Sequence, residues 1–156
     1  MEPNESTFKE LIHRHKDLIW RICSSYRLSA AWTTEDAFHE VLCNLWNGMD
    51  TFDKRSTERT WVFRVATNTM ISITRKMGNQ PMPLADEQPT AAYKEEPYSD
   101  LIDLIETIKE PDRTIIKAHL QGFSYAEIAK VTGRSIAAVG MRLSRTLRLL
   151  RKQYNR

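Results

Sequence analysis

The chain has 156 residues, of which 41% are hydrophobic and 9% aromatic, and its five glycines are few, a composition typical of helical proteins rather than β-sandwiches or barrels. The formal net charge is +3, no run of about 18 apolar residues is present to span a membrane, and the N-terminus lacks the basic and apolar regions of a signal peptide, so we expect a cytoplasmic protein without membrane insertion. The two cysteines and four histidines match no metal or redox spacing, so no metal or cofactor is expected and both cysteines are expected to be buried thiols.

Residues 1–77 predict a helical domain of three amphipathic helices. In the first helix, side chains that can face a core recur three and four positions apart, at Phe8, Leu11, Ile12, His15, Ile19 and Ile22. The second helix begins at Thr34, carries acidic residues in its first turn, where the helix dipole favours them, and ends at Gly48. The third helix runs from about Thr57 to Lys76 and again has an apolar face.

Residues 78–99 predict a flexible linker. This segment is polar, shows neither helical nor strand periodicity, and contains helix-breaking residues at Gly78, Pro81, Pro83, Pro89 and Pro97. It contributes to an acidic region, because residues 81–110 hold 2 basic and 8 acidic side chains, net −6. The fold class expected is therefore all-α, with two small helical domains, residues 1–77 and 100–156, joined by this linker. An acidic linker suits either a basic channel or an ordinary tether, and both interpretations stay open.

The second domain predicts a C-terminal helix-turn-helix. Ser124 and Glu127 have the spacing of a capping box, so a helix is expected to begin at Tyr125. Gly133 lies in a short turn where it can take a positive φ, and Ser135 is a suitable N-cap for the helix that follows. Two short helices joined by a glycine-containing turn form a helix-turn-helix.

The two faces of this last helix differ in character. The positions expected to face the core are Ile136, Val139, Leu143, Leu147 and Leu150. The opposite face combines small residues with arginines, at Ala137, Ala138, Met141, Ser144, Arg145 and Arg148, with Arg142 at its flank. Residues 111–156 hold 10 basic and 2 acidic side chains, net +8, which is the charge expected of a polyanion binder. The alternative is a basic surface helix without a DNA partner.

Four segments of this chain resemble the extracytoplasmic-function sigma factors, which are specificity subunits of bacterial RNA polymerase. In order, they are TTEDAFHEVLCNLWNG, TWVFRVATNTMISITRK, EPDRTIIKAHLQG and GFSYAEIAKVTGRSIAAVGMRLSRTLRLLRK. Their order and spacing agree with the family over most of the chain, and only the linker is unmatched. The resemblance implies partners for each region: core RNA polymerase, promoter DNA and an anti-sigma factor, with a free protein that is a monomer.

The resemblance also implies roles for particular residues. An acidic helix docks on a coiled coil of the polymerase, which here implies Asp36, His39, Glu40 and Asn44; the alternative is a solvated acidic face. The −10 element of the promoter is read by residues that correspond here to Arg59, Trp61, Arg64, Asn68, Arg75 and Lys76. The −35 element is read by the helix-turn-helix, here through Arg134, Ser135, Ala137, Ala138, Met141, Arg142, Arg145 and Arg148.

Several positions depart from the family pattern. Glu58 stands where an aromatic residue is usual, and its charge is expected to repel DNA unless it caps the helix. Ser72 stands in place of a usual aspartate, Gly140 in place of a common lysine and Met141 in place of a common serine, so the preferred promoter sequence is not transferable. Trp61 and Phe63 are each equally suited to a base-stacking platform or to the core.

Two other functions compete with this interpretation. A stand-alone helix-turn-helix regulator would bind duplex DNA as a dimer without polymerase, and it would need a ligand or receiver domain where the acidic helix lies. A pure protein-interaction module would not need the net charge of +8 in residues 111–156. Catalysis is not expected, because no nucleophile–base set, phosphate loop or metal cluster is present in the sequence.

Overall fold

A computed structural model describes residues 5–52, 56–77 and 99–154, and all the regular structure in these ranges is helical. The chain divides into two compact units, Met1–Pro83 and Leu84–Arg156, referred to as unit one and unit two. The all-α fold class is therefore confirmed. No helix among the described residues is long and apolar enough to cross a membrane. Most of the predicted linker, residues 78–98, lies outside the described ranges.

In unit one, the described residues form a bundle of three α-helices, each of which contacts the other two. They are α1 (Glu5–Ser24), α2 (Thr34–Gly48) and α3 (Glu58–Met77), and a short 3-10 helix, Met49–Thr51, follows α2. The bundle encloses a core of apolar side chains that includes Leu11, Leu18, Ile19, Ile22, Val41, Leu45, Val62, Phe63, Ala66, Met70 and Ile73. The predicted bounds of the second and third helices are confirmed to within one residue.

Local hydrogen bonds set where α2 and α3 begin. Thr33 and Asp36 form a capping box, in which the Asp36 amide donates to Thr33 Oγ1 over 3.0 Å and the Thr33 amide donates to Asp36 Oδ2 over 3.1 Å. At α3, the Thr60 amide donates to Thr57 Oγ1 over 3.1 Å. These bonds satisfy amides that have no partner within the first turn of a helix.

The described residues of unit two, 99–154, form four helices, α4 (Ser99–Glu106), α5 (Asp112–Leu120), α6 (Tyr125–Thr132) and α7 (Ile136–Tyr154). The first of them begins at Ser99, the last residue of the predicted linker. A buried ion pair joins α4 to α5, because Lys117 Nζ lies 2.9 Å from Glu106 Oε1 with only 7% of the lysine side chain exposed. Burial lowers the pKa of Lys117 to about 8, although the neighbouring carboxylate of Glu106 opposes that shift.

The predicted helix-turn-helix is present in α6 and α7. The capping box forms between Ser124 and Glu127, and Gly133 ends α6 in the left-handed region at φ 70°. The Ala138 amide donates to Ser135 Oγ over 3.1 Å, so Ser135 caps α7 as predicted. The local sequence signals for this motif are thus each matched by a hydrogen bond or a backbone angle.

The predicted core face of α7 is wrong at one residue, Ile136. Val139, Leu143 and Leu150 are buried and Leu147 is partly buried, but Ile136 is 55% exposed. Ile136 is the first residue of α7, and helical side chains point back toward the N-terminus, which carries this one past the end of its own helix. Thr146 is buried instead, on the same face as Leu143 and Leu150.

The prediction that both cysteines are buried is correct only for Cys23. Cys23 lies in the core of unit one, and burial raises the pKa of its thiol to about 12. Cys43 is exposed, because it is two residues away from both Val41 and Leu45 and so projects from the opposite side of α2.

Candidate functional site

The residues predicted to dock on polymerase lie on the outward side of α2. Asp36, His39 and Glu40 are exposed, and Asp36 also serves in the capping box of the helix. Asn44 differs from the others because it is only half-exposed and its amide donates to Thr69 Oγ1 of α3 over 2.8 Å. Thr69 in turn donates to the Val65 carbonyl over 2.8 Å. Asn44 therefore joins α2 to α3.

Two aromatic pairs join α1 to α2 at the surface, and the sequence patterns alone did not identify them. Phe8 meets Trp46 edge to face, with ring centroids 5.1 Å apart, and Trp20 meets Phe38 at 5.8 Å. Trp20 and Trp46 remain 44% and 37% exposed. Because Trp46 belongs to α2, that helix has exposed apolar surface as well as acidic residues. Exposed aromatic side chains are enriched where proteins bind one another. The available signal was an aromatic residue outside the apolar stripe, as at Trp20.

Most of the predicted −10 residues form one strip along α3. Trp61, Arg64, Asn68 and Arg75 are spaced by three, four and seven residues, which places them on the same side of the helix. Arg64, Asn68 and Arg75 are exposed and Trp61 is half-exposed. Arg59 is half-buried and, two residues from Trp61, lies on the opposite side of α3, while Lys76 is exposed beside the strip.

Trp61 and Phe63, which the sequence left equally suited to the core or to base stacking, have different surroundings in the structure. Phe63 is 1% exposed and belongs to the core. Trp61 keeps an exposed part and is held in place by Phe52, whose ring centroid lies 5.0 Å away at an interplanar angle of 34°. A Cβ atom at Gly48 would lie 3.5 Å from the Trp61 ring, so this residue also packs on α2. Trp61, with Phe52 behind it, is suited to stack on an unpaired base.

The charge of Glu58 is compensated by α1. Arg14 donates from Nε and Nη2 to the two carboxylate oxygens of Glu58 over 2.9 and 3.0 Å, and His15 Nε2 lies 2.7 Å from Oε1. Partial burial raises the pKa of Glu58, but hydrogen bonds from His15 and Arg14 outweigh it and hold that pKa below its usual value. The cap of α3 is Thr57, so Glu58 acts as an ion-pair partner rather than as a cap.

The outward face of α7 carries most of the predicted −35 residues. The exposed members are Arg134, Ser135, Ala137, Met141, Arg145 and Arg148, and Ala138 is half-exposed. Arg142 has an intramolecular partner, since its Nη1 donates to Asp112 Oδ1 of α5 over 3.0 Å. Seven of the eight predicted residues are thus exposed or half-exposed, and the eighth is tied to α5.

Tyr125 lies against the side of α7 at Gly140. A Cβ atom at Gly140 would be 3.5 and 3.7 Å from two carbons of the Tyr125 ring, which is an ordinary contact distance, so the ring packs against this side of α7. Tyr125 remains 44% exposed beside the outward face of α7.

Two family models match this chain, and together they leave only the N-terminus, the linker and the last residues unmatched. Sigma-70 region 2 matches residues 11–79, which include α2 and α3. Sigma-70 region 4 matches residues 98–150, which include the helix-turn-helix. The two regions follow each other in the order of the two compact units.

Curated relatives share this organisation. The chain is 25% identical over 172 aligned residues to the ECF RNA polymerase sigma factor SigW of Bacillus subtilis, covering 96% of this chain and 90% of SigW. It is 24% identical to the sigma factor SigE of Mycolicibacterium smegmatis, covering 93% of this chain and 60% of SigE. It is 22% identical to the RNA polymerase sigma factor CnrH of Cupriavidus metallidurans, covering 91% of this chain and 83% of CnrH.

Solved structures show the same fold. CnrH in complex with the cytosolic domain of CnrY matches at a TM-score of 0.74 and 22% identity, covering 97% of this chain and 90% of CnrH. The sigma factor RpoE in complex with the anti-sigma factor NepR, from Bartonella quintana, matches at 0.73 and 22% identity, covering 96% and 97% of the two chains.

Proposed function

The chain belongs to the extracytoplasmic-function branch of the sigma-70 family, and on that premise we propose that it binds core RNA polymerase and directs transcription initiation at specific promoters. The observation that carries the proposal is that the two matched regions coincide with two compact units, one with the acidic helix and the other with the helix-turn-helix. The chemistry of bond formation would belong to the polymerase, so this chain needs no catalytic residues of its own. Since a polymerase subunit works on the chromosome, we place it in the cytoplasm.

Docking is assigned to the exposed residues of α2. Asp36, His39 and Glu40 supply the charged part of the surface, and the neighbouring Trp46 supplies apolar area. Charged groups steer association, and buried aromatic side chains contribute most of the free energy at protein interfaces. Asn44 contributes by holding α2 on α3 through Thr69.

The two DNA elements are assigned to different units. We assign the −10 element to the strip on α3, where Trp61 would stack on a base that has left the duplex and Arg64 and Arg75 would contact the backbone. We assign the −35 duplex to α7, with Arg145 and Arg148 near phosphates or base edges in the major groove. Both units are required for a promoter to be recognised as a whole.

Control by a protein partner is part of the proposal. The solved complexes of CnrH with CnrY and of RpoE with NepR show two proteins of this fold bound to such partners. In this chain, the exposed rings of Trp20 and Trp46 offer the apolar surface that an anti-sigma factor would cover. The free chain is expected to elute as a monomer from a size-exclusion column.

Promoter-specific transcription tests the docking surface. The double variant Asp36→Arg with Glu40→Arg should lose run-off transcription from a promoter that responds to the unaltered chain. The matched control reverses two exposed acids on α1, Glu10→Arg with Asp17→Arg, and makes the same change in net charge. Equal activity of the two double variants would overturn the assignment of docking to α2.

A further inference from the structure

Met141 is the most exposed large hydrophobic side chain in the described part of the chain, at 66%. It is the sixth residue of α7, in the half of the helix where helix-turn-helix proteins place the side chains that reach base edges. An isolated exposed apolar residue is common on protein surfaces and has no meaning by itself. The residues around Met141, however, point to a function for its exposed side chain.

Small and cationic residues surround Met141 on the helix surface. Its neighbours at i−4 and i−3 are Ala137 and Ala138, and those at i+3 and i+4 are Ser144 and Arg145. The alanines leave the helix backbone open to close approach by a groove, so Met141 is the side chain that projects farthest there. Arg145 adds positive charge one turn farther along, which suits a phosphate or a guanine edge.

The residues on either side of Met141 in the sequence fix the direction in which it points. Gly140 packs against the ring of Tyr125 on α6, and Arg142 is tied to Asp112 on α5. Helix α7 is therefore held at two of its sides by the rest of unit two. Met141 projects away from both contacts, toward solvent, at a position determined by packing.

We propose that Met141 reads a thymine of the −35 duplex through van der Waals contact with its 5-methyl group in the major groove. The inference rests on the proposed function and names the base that this side chain selects. Thymine is the only one of the four bases that presents a methyl group in the major groove. A flexible, polarizable thioether can follow that surface closely, whereas it offers nothing to the polar edges of the other bases.

The test uses holoenzyme formed from the full chain and bacterial core polymerase. Duplexes are first enriched from a library randomised over the −35 region, and each thymine of the enriched duplex is then replaced by deoxyuridine, which removes only the methyl group. At one position this replacement should weaken binding by about three- to fivefold, the effect of losing one buried methyl group. With Met141→Ala, the same replacement should have less than about a twofold effect.

Two further variants separate a specific contact from a general one. Met141→Leu keeps an apolar side chain of similar size and should preserve the sensitivity to deoxyuridine. Leu120→Ala removes another exposed apolar side chain, 52% accessible on α5, and should leave that sensitivity unchanged. An enriched motif that is insensitive to deoxyuridine at every thymine would overturn this inference and leave the proposed function intact. Failure to enrich any motif would overturn both.

Discussion

Arg142 of α7 and Asp112 of α5 form an ion pair with 3.0 Å between Nη1 and Oδ1, and about a third of each side chain is exposed. Arg142 was predicted to contact −35 DNA, and this pairing gives it a different use in the free protein. The neighbouring carboxylate offsets the positive charge of the guanidinium, which weakens the attraction of Arg142 for a phosphate. We infer that Arg142 positions α7 on α5 and that Arg145 and Arg148 provide the main cationic contacts.

The first prediction follows from this ion pair. Arg142→Ala and Asp112→Ala should each lower the free energy of unfolding of unit two by roughly 1 kcal/mol, since the pair is partly exposed. The double variant should lose less than the sum, because either substitution alone already removes the pair. Denaturation followed by far-UV circular dichroism measures all three changes. If Arg142→Ala instead alters the enriched −35 motif, then Arg142 reads a base and the positioning role is wrong.

The second prediction concerns the two glycines of the helix-turn-helix. Gly140→Ala should stabilise unit two by up to about 1 kcal/mol, because alanine is the better helix former and its Cβ would meet Tyr125 at an ordinary contact distance of 3.5 Å. Gly133→Ala is the matched control and should destabilise by about 1 kcal/mol, because Gly133 has φ 70°.

An internal reference is available for measuring these changes. All four tryptophans of the sequence lie in the first 77 residues, so tryptophan fluorescence reports on unit one, whereas circular dichroism reports on both units. The fluorescence transition should be the same in both glycine variants. A loss of stability in Gly140→Ala would show that the Tyr125 ring cannot accommodate the added methyl group.

The third prediction concerns pH and Lys117. Its pKa is about 8 in the folded chain and near 10.5 when the lysine is exposed, so between these values the unfolded chain binds more protons than the folded one. The free energy of unfolding of unit two should therefore gain a contribution that rises as pH increases from about 8 to 10.5, by up to about 3 kcal/mol. Below pH 8 the charged lysine is buried at a cost, which its contact with Glu106 partly offsets.

Lys117→Met isolates this contribution from other effects of high pH. The variant keeps a side chain of similar length without a titrating group, so the difference between its unfolding free energy and that of the unaltered chain should change across the same pH range. Denaturation at several pH values between 7 and 10 gives the comparison. Parallel pH profiles for the two proteins would contradict the lowered pKa of Lys117.

The fourth prediction distinguishes the two cysteines. Cys43 is exposed and should be alkylated by iodoacetamide in the native protein, whereas Cys23 is buried with a thiol pKa of about 12 and should react only after unfolding. Mass spectrometry of peptides from native and denatured samples counts the adducts. Cys43→Ser serves as the control and should leave native protein without rapid labelling. Rapid labelling of Cys23 in the native state would show that unit one opens readily.

The features that sequence reasoning predicted correctly are the local ones. The capping box of Ser124 with Glu127 and the left-handed Gly133 depend on residues within four positions of one another, so short-range rules suffice. The ion pair of Arg14 with Glu58 joins residues 44 positions apart, and the one of Arg142 with Asp112 spans 30. Such pairs arise only when helices pack, and periodicity within one helix does not reveal them.

The same limit explains the predictions that were wrong. Periodicity placed Ile136 on the core face of α7, but whether a residue at a helix end is covered depends on how far the neighbouring helices extend. Cys43 was expected to be buried because of its apolar sequence neighbours, although residues adjacent in a helix point in different directions. The family resemblance predicts the functional surfaces, and the packing determines which side chains remain accessible on them.

The hydrogen bond from Asn44 to Thr69 links α2 to α3, which also pack against each other in unit one. In a complex built as proposed, α2 rests on the polymerase and α3 faces the DNA, so a rotation of α2 turns Trp61 and Arg64 through the same angle. The position of α2 on the polymerase then also sets the alignment of the strip on α3, and no separate adjustment is needed. Loosening this joint would therefore disturb both the docking of α2 on the polymerase and the position at which the promoter opens.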